Sequence, residues 1–323
     1  MRRPMRLMEH IDIALADFSR KFELIALWAE AFGDDEAFIA SFLERYMIPD
    51  RNAPAAILGG RVVSALYLLD FPLYSKGKAL GECAYLFAAA TKEGYKNRGY
   101  MSALLGYAAD LCRNRGQKAI FLFPQGQDPK LFDFYSRFGY KNIYAAKKIT
   151  KRGEGKAAGP FRLAEKDITD PAVFGQLYEA YAGFAAGQPL IPKKDELFYF
   201  ECAASYLDVG ENSGRSAHFA VLERVNEQNS EKICYVFYKK YKNNYYIDDI
   251  ILYRGQDNFE EAADILADFF FDPDAGFEIN IPPVSHSDEK NTNLAMILPL
   301  SGEVEDIIGG LEAPVYINMF MNI

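Results

Sequence analysis

The chain has 323 residues, which is enough for two domains that each bury a core. Half of the residues are hydrophobic and a quarter are charged, a balance typical of globular proteins. The formal net charge of -9 argues against nucleic acid or an anionic membrane as a partner and favours cationic ligands.

The sequence has no signal peptide and no uncharged apolar run of about 18 residues, so we expect a cytoplasmic protein. The four cysteines and three histidines are dispersed, and no CxxC pair occurs. This spacing argues against a metal site and against a cysteine nucleophile. We predict that the cysteines are small buried side chains.

The first part of the chain predicts a strand, two helices and a β-hairpin. Residues 11–15 have the composition of a short strand, and two helices with apolar residues at helical spacing follow it. The helices meet at a turn that contains Gly33, Asp34 and Asp35, where an aspartate can cap the second helix. A Gly-Gly turn between two apolar runs then indicates a hairpin over residues 54–72.

Residues 82–112 contain a buried strand, a cationic loop and an amphipathic helix in succession. The first backbone N–H groups of such a helix have no intrahelical partner, and the positive end of the helix dipole lies there. Gly99 lets the backbone approach an anion closely, and Lys96 and Arg98 add positive charge. We interpret the junction either as a phosphate or pyrophosphate site or as an ordinary solvated helix start.

The remainder of the first half predicts a strand, a helix and a strand. Residues 119–124 are a buried apolar run, and Asp128 with Pro129 can start the helix that carries Tyr135. Residues 140–149 alternate as a strand does. The first half is therefore predicted to run β, α, α, β-hairpin, β, α, β, α, β.

A polar, glycine-rich segment, residues 151–160, is the predicted linker between domains 1–150 and 161–323. Beyond it, the same order of helix pair, hairpin, strand, helix and strand repeats. The second strand-to-helix junction, residues 253–258, has acidic residues where a phosphate would bind, so we expect this copy to have lost the anion site. Residues 316–323 are predicted to form a final apolar strand.

Three segments of the first half match the signature of a known superfamily. Residues 96–101, KNRGYM, match its cofactor loop Arg/Gln-x-x-Gly-x-Gly/Ala, with Lys96 and Met101 as the departures. Residues 89–91, AAT, and residues 134–140, which end in the pattern Y-x-x-x-G-[FY], match in the expected order. On these motifs the first half resembles the GNAT superfamily of N-acetyltransferases.

The tandem arrangement with a degenerate second half is similar to the Eis-type acetyltransferases, and we expect the chain to lack their C-terminal sterol-carrier-like domain. The resemblance implies an α+β fold, an α/β mixed sheet, with two tandem GNAT-like domains. Each domain is expected to be a mixed, mostly antiparallel sheet flanked by helices. Domain 1–150 is expected to bind acetyl-CoA and carry out catalysis, 151–160 to be the linker, and 161–323 to be the degenerate copy.

The resemblance also implies an acetyl-CoA-dependent N-acetyltransferase that moves an acetyl group to a primary amine by direct attack in a ternary complex. The exposed edge of the fourth strand is expected to bind the pantetheine arm, and the loop the pyrophosphate. By match to the family, the cofactor-binding residues are Phe87, Ala88, Ala89, Lys96, Asn97, Arg98, Gly99, Tyr100, Met101 and Ser102.

Tyr135 is the residue that the resemblance implies as general acid. A phenol with a pKa of about 10 stays protonated at neutral pH and can donate to a thiolate with a pKa of about 8.5. The alternative is that Tyr135 packs against apolar neighbours on its helix. Glu82 is a candidate general base, but Tyr85 lies nearer to where some family members have a catalytic Glu, and the Ile323 carboxylate is another option.

The acceptor is expected to bind beside the first helix pair, which borders the acceptor side in the GNAT fold. The predicted acceptor-binding residues are Trp28, Phe32, Asp34 and Phe38. Acidic groups there suit a cationic small-molecule or peptide amine. The alternative for Asp34 and Asp35 is that they cap a helix, and for the aromatic residues that they belong to the core.

Two other functions are open. A non-enzymatic acyl-CoA-binding module for sensing or assembly is the main alternative, because Met101 departs from the cofactor loop. An aminoacyl transferase is disfavoured, since a net charge of -9 argues against a tRNA partner. A second domain without a ligand site is compatible with assembly into a homo-oligomer.

Overall fold

The computed structural model describes most of the chain. The described residues are 11–48, 50–151, 159–208, 215–226, 229–241, 244–253, 258–270, 277–282 and 291–317. Within them the strands form one continuous sheet, and helices cover both of its faces. None of the helices in these ranges combines the length and the apolarity that crossing a membrane requires.

The predicted helices and strands within the described ranges occur in the predicted order, and the second half also contains two short or late strands and a helix that the sequence pattern does not predict. The helices are α1 Lys21–Phe32, α2 Glu36–Tyr46, α3 Tyr100–Asn114, α4 Pro129–Ser136, α5 Pro171–Gly187, α6 Glu196–Leu207, α7 Phe259–Phe269 and α8 Gly302–Gly309. The strands are β1 Ile11–Leu15, β2 Pro54–Leu58, β3 Arg61–Ser75, β4 Lys78–Thr91, β5 Ala119–Leu122, β6 Lys141–Lys151, β7 Phe161–Glu165, β8 Ile191–Pro192, β9 Arg215–Val225, β10 Ser230–Tyr241, β11 Asn244–Leu252, β12 Phe277–Ile281 and β13 Asn291–Pro299.

The sheet is mixed and mostly antiparallel, as predicted for an α+β fold. Its order is β1-β2-β3-β4-β5-β13-β6-β12-β11-β10-β9-β7, and β8 pairs with β3 outside this path. Among the described strand pairs, only β4 with β5 and β11 with β12 are parallel. These two pairs follow the hairpin in each half, so they occupy equivalent places in a repeated arrangement.

A strand that the sequence pattern does not predict, β13, joins the two halves. It lies between β5 and β6 and is antiparallel to both, with Ile297 opposite Phe121. On its other side, β6 pairs with β12. A strand from the second half of the sequence therefore lies inside the sheet of the first half, and the two halves share one hydrogen-bonded surface.

The two faces of the sheet bury different cores. Alternate residues of β3 enter them, with Tyr67 and Leu69 in one core and Leu66 and Leu68 in the other. The first core lies under α1, α2, α5 and α6, so both halves contribute to it. The opposite face has separate cores under α3 and α4 and under α7. All four cysteines are buried and free, as predicted.

Three predictions fall on residues outside the described ranges. The linker at 151–160 includes the undescribed residues 152–158, so the domain boundary stays a prediction. The second strand-to-helix junction includes residues 254–257, and the expected final strand includes residues 318–323. Next to that last segment, Val315 forms a single bridge with Tyr144 of β6.

Candidate active site

The parallel strands β4 and β5 separate after a short paired segment. They pair only at Ala84 with Ile120 and at Tyr85 with Phe121. Beyond this point β4 continues to Thr91, whereas β5 ends at Leu122. In the described part of the chain, the C-terminal residues of β4 therefore pair with β3 alone. The other edge of β4 is open to a ligand there.

A bulge lies in this open part of β4. Ala88 has a left-handed φ of 45°, and the β3–β4 register shifts between the Tyr67–Phe87 pair and the Ala65–Ala90 pair. Such bulges redirect backbone groups and are frequent beside active sites. Phe87, Ala88 and Ala89, three predicted cofactor contacts, are half-buried at this bulge.

The loop that follows β4 gives the N-terminus of α3 the properties of an anion site. Asn97 and Gly99 have φ values of 61° and 86°, and Gly99 is the residue that precedes the helix. No side chain caps this end, and the first turn contains no acidic residue. Its backbone N–H groups and the positive end of the helix dipole are therefore free of a protein carboxylate and fit a pyrophosphate.

The basic side chains of this loop are exposed. The Lys96 ammonium lies 2.6 Å from the Glu93 carboxylate, and both side chains are more than half exposed. The Arg98 guanidinium lies 5.3 Å from the centre of the Tyr95 ring. An exposed ion pair of this kind contributes little stability, so a bound phosphate can replace Glu93 as the partner of Lys96 at small cost. The next residues, Tyr100, Met101 and Ser102, are half-buried at the start of α3.

Tyr135 lies on α4, beside the core that supports α3. Asp128 caps α4 by accepting a hydrogen bond of 2.9 Å from the Lys130 backbone N–H, and Pro129 is its first residue. Tyr135 is 9% exposed and belongs to the same core as Leu104 of α3. Burial raises the pKa of Tyr135 to about 12, so its hydroxyl is protonated at neutral pH. Both interpretations of Tyr135 agree with this position, and its role stays a prediction.

A cavity of about 280 Å³ and one of about 240 Å³ flank α2, and the smaller one adjoins the open edge of β4. We call the smaller one the reaction cavity. Its lining residues are Trp28, Phe32, Asp34, Phe42, Tyr85, Phe87, Ala88, Phe123, Gln125 and Gly126. Three of the four predicted acceptor residues, Trp28, Phe32 and Asp34, therefore lie in one cavity with two predicted cofactor contacts. The fourth, Phe38, lines the larger cavity instead.

Asp34 is held in the reaction cavity by a tryptophan. The Trp28 indole N–H donates a hydrogen bond of 2.7 Å to the Asp34 carboxylate. Asp35, not Asp34, caps α2 by accepting from the backbone N–H groups of Ala37 and Phe38. The helix-cap alternative therefore applies to Asp35 only, and Asp34 is available to a ligand.

The structure does not bring Glu82 together with these residues. Glu82 is exposed near the start of β4, opposite Pro72, on the far side of the paired segment from the reaction cavity. Five residues of strand separate it from Phe87, which is roughly 17 Å. Tyr85, by contrast, lines the cavity, and burial raises its pKa. Ile323 lies outside the described ranges, so its carboxylate stays an untested option.

Several residues of the reaction cavity carry no distinctive sequence signal. Phe42, Phe123 and Tyr85 have the same apolar spacing as ordinary core residues. The one available signal is the aromatic density at the end of β5, since Phe121 and Phe123 face the same way on an extended segment. Within the described ranges, no group of three His, Cys, Asp or Glu side chains is arranged to hold a metal ion.

Comparisons with known proteins agree with this geometry. Residues 16–143 match the family model of an acetyltransferase (GNAT) domain. No curated protein matches the sequence. A solved GCN5-related N-acetyltransferase from Kribbella flavida has a TM-score of 0.62 at 13% identity, over 91% of this chain and 72% of its own.

Two further solved structures are similar to this chain, an Eis protein and a tandem GNAT protein. Eis1 from Mycobacterium abscessus has a TM-score of 0.59 at 13% identity, over 91% of this chain and 75% of its own. A tandem GNAT protein from the clavulanic acid biosynthesis pathway has a TM-score of 0.50 at 14% identity, over 90% of this chain and 99% of its own. At these identities the likeness is one of fold. Residues 16–143 therefore resemble a GNAT acetyltransferase domain, and the chain as a whole shares its fold with these solved structures.

Proposed function

We propose that the chain transfers the acetyl group of acetyl-CoA to a small-molecule or peptide primary amine, by direct attack in a ternary complex. One observation carries this proposal: the unpaired end of β4 leads through a short loop into the N-terminus of α3, and its residues Phe87 and Ala88 line a cavity together with Asp34. The helix end would bind the pyrophosphate, the strand edge the pantetheine arm, and the carboxylate the amine. These features occur in the same order as the groups of acetyl-CoA and its acceptor.

The residues of this path fit acetyl-CoA. Backbone groups of Phe87, Ala88 and Ala89 would bind the pantetheine arm, and the loop and first turn over residues 96–102 would bind the pyrophosphate. The left-handed Asn97 and the absence of acidic residues from the first turn of α3 support this assignment. Acetyl-CoA supplies the acetyl group as a thioester and its sulfur leaves as a thiolate.

Asp34 is the carboxylate that the reaction cavity offers to the acceptor. An alkylamine has a pKa of about 10.4, so losing its proton at pH 7 costs about 4–5 kcal/mol. The Trp28 hydrogen bond orients the Asp34 carboxylate, which can hold the ammonium group and accept its proton. Because Glu82 lies beyond the paired part of β4, Asp34 is better placed than Glu82 to serve as this base.

Tyr135 supplies the proton for the leaving sulfur. With a pKa of about 12, the phenol stays protonated until negative charge develops on the sulfur. Complete transfer to a thiolate with a pKa of about 8.5 would cost about 5 kcal/mol, so the proton is shared in a hydrogen bond as the charge forms. Such a donor, held in a buried site, stabilises the developing charge more than water does.

Calorimetric titration with acetyl-CoA tests the cofactor part of the proposal. The full chain should bind acetyl-CoA, and Arg98→Glu should weaken that affinity at least tenfold. Arg113→Glu is the matched control, because Arg113 is an exposed base at the other end of α3. The proposal fails if the unmodified protein does not bind, or if both variants lose affinity equally.

A further inference from the structure

The larger cavity lies directly beside the reaction cavity. We call it the α2–α6 cavity, since these two helices form its walls. Its lining residues are Phe38, Ser41, Phe42, Arg45, Tyr46, Phe200, Glu201, Cys202, Ala204 and Ser205. Phe42 is common to the lining of both cavities, so its ring lies between them.

The sizes of the two cavities suggest a shared ligand. The reaction cavity has about 240 Å³ and the α2–α6 cavity about 280 Å³. Each is smaller than the range of about 300–1,000 Å³ that is common for small-molecule sites, whereas the two together fall within it.

The walls of the α2–α6 cavity suit an apolar group. Four aromatic side chains, Phe38, Phe42, Tyr46 and Phe200, surround it. Its charged residues, Arg45 and Glu201, form an ion pair with each other. Because these two charges neutralise one another, the cavity offers no net charge to a second ammonium group, and an aromatic or branched alkyl group gains most by burial there.

The α2–α6 cavity is accessible from outside. Phe38 is 39% exposed, although it is a large apolar side chain, and Ser41 and Ser205 at the mouth are exposed. An apolar side chain exposed at the rim of a concave surface is typical of a binding groove.

The distances across Phe42 set the length of an acceptor that can occupy both cavities. The ring of Phe42 lies 5.0 Å from that of Phe87 in the reaction cavity. On the other side it lies 4.7 Å from the ring of Tyr46 and 6.3 Å from that of Phe38. An acceptor must therefore span one aromatic ring between its amine and its apolar group.

We propose that the α2–α6 cavity is the second acceptor subsite and that the physiological acceptor is an arylalkyl or branched alkyl primary amine. Its ammonium group binds at Asp34, its linker crosses the edge of Phe42, and its apolar end packs among the aromatic side chains of α2 and α6. The second half of the chain thereby contributes acceptor specificity through α6. This inference rests on the proposed acetyl transfer, which supplies the reaction at the other end of the amine.

The test compares phenylalkylamines of increasing linker length with methylamine, using acetyl-CoA and thiol release by the full chain. The kcat/KM value should rise with linker length to a maximum at three or four methylene groups and exceed that of methylamine at least tenfold. Ser205→Phe places a ring in the α2–α6 cavity and should lower the ratio of 4-phenylbutylamine to methylamine at least tenfold. Ala37→Phe, at an exposed α2 position that lines neither cavity, should leave that ratio within twofold.

A second readout needs no catalysis. Trp28 is the only tryptophan of the sequence and lines the reaction cavity, so its fluorescence reports amine binding in all of these variants. 4-Phenylbutylamine should change this fluorescence at a concentration at least tenfold lower than methylamine does, and Ser205→Phe should abolish the difference.

The outcomes separate this inference from the proposed function. If no amine releases thiol, the acetyl transfer itself is contradicted. If methylamine and the phenylalkylamines release thiol but have equal kcat/KM values, or if Ser205→Phe and Ala37→Phe behave alike, the transfer stands and the second subsite is wrong. A shift to dimer in size-exclusion chromatography that disappears in Ser205→Phe would also overturn it, because a second copy would then occupy the cavity.

Discussion

Two neighbouring tyrosines in one core, Tyr135 and Tyr140, differ in how deeply they are buried. Tyr135 and Tyr140 have ring centres 5.7 Å apart, and burial raises the pKa of both. Tyr140 is 3% exposed, and its hydroxyl has no hydrogen-bond partner among the described residues. Tyr135 keeps 9% of its surface exposed on the helix beside α3. Under the proposed function, this exposed part of Tyr135 is the part that would meet the leaving sulfur.

Replacing these tyrosines separately tests the role of Tyr135. Tyr135→Phe keeps the ring and removes the proton, so kcat should fall by about 10²–10⁴-fold. Affinity for acetyl-CoA should stay within twofold. Thiol-release kinetics at saturating amine measure the first effect, and calorimetry the second.

Tyr140→Phe is the control for packing. It should leave kcat within twofold, and it should not lower the free energy of unfolding, because it removes a buried hydroxyl without a partner. Equal kcat values for the unmodified protein and Tyr135→Phe would assign Tyr135 to the core alone.

Two glycines, one just before helix α3 and one within it, have opposite expected effects on stability and binding. Gly99 precedes the helix with a φ of 86°, where an alanine is strained, whereas Gly106 lies in the exposed middle of the helix. Gly99→Ala should lower the free energy of unfolding by about 1 kcal/mol and also weaken acetyl-CoA binding. Gly106→Ala should raise the free energy of unfolding by about 0.5–1 kcal/mol and leave binding unchanged. Urea denaturation measures the free energy of unfolding, and calorimetry measures acetyl-CoA affinity. If affinity falls equally in both variants, the loss is not specific to the N-terminus of α3, and its assignment to the cofactor is contradicted.

Whether a helix or strand can be predicted from the sequence depends on how far apart in sequence the residues that determine it lie. Local signals, such as the Gly-Gly turn before β3 and Asp128 with Pro129 before α4, predict the order of elements correctly. The position of β13 depends on pairing with β5 and β6, more than 140 residues away in sequence for Ile297 and Lys141, and no local pattern encodes it. The same holds for Phe38, which lies one helical turn from Phe42 but lines the α2–α6 cavity instead of the reaction cavity.

At the scale of the whole molecule, buried charges connect the halves. Lys194 follows β8, which pairs with β3 of the first half, and its backbone N–H donates to the Tyr181 hydroxyl at 3.0 Å. Asp249 of β11 accepts a hydrogen bond of 3.1 Å from the Tyr316 hydroxyl. Burial lowers the pKa of Lys194 to about 8 and raises that of Asp249 to about 7, and their mutual attraction opposes both shifts.

Removing one member of this pair should destabilise the protein more than removing both. At a pH between these two pKa values, Lys194→Met leaves Asp249 buried without its cation, so that folding must bury a lone carboxylate or take up a proton. The free energy of unfolding should fall by about 3–5 kcal/mol. Lys194→Met with Asp249→Asn should recover most of that loss. Urea denaturation of the unmodified protein, the two single variants Lys194→Met and Asp249→Asn, and the double variant gives the coupling free energy. Additive effects would contradict an interaction between the two groups.

The same carboxyl group predicts a pH dependence. Between pH 4 and pH 7 the folded protein keeps a proton on Asp249 that the unfolded chain has released, since the folded pKa is about 7. The contribution of this group to stability is therefore full below pH 4 and is lost as the pH rises through 7. The free energy of unfolding of the unmodified protein, relative to Asp249→Asn, should fall over this interval. Parallel pH curves for the two proteins would show that Asp249 titrates normally.

The most direct test of the central claim is to incubate the full chain with acetyl-CoA and 4-phenylbutylamine and to measure free thiol and N-acetylated amine together. The proposed site predicts that both products form in equal amounts and that Arg98→Glu slows both at sub-saturating acetyl-CoA, whereas Arg113→Glu does not. Tight binding of acetyl-CoA without either product, for this amine and for a broad amine panel, would contradict acetyl transfer and indicate a non-enzymatic acyl-CoA-binding module.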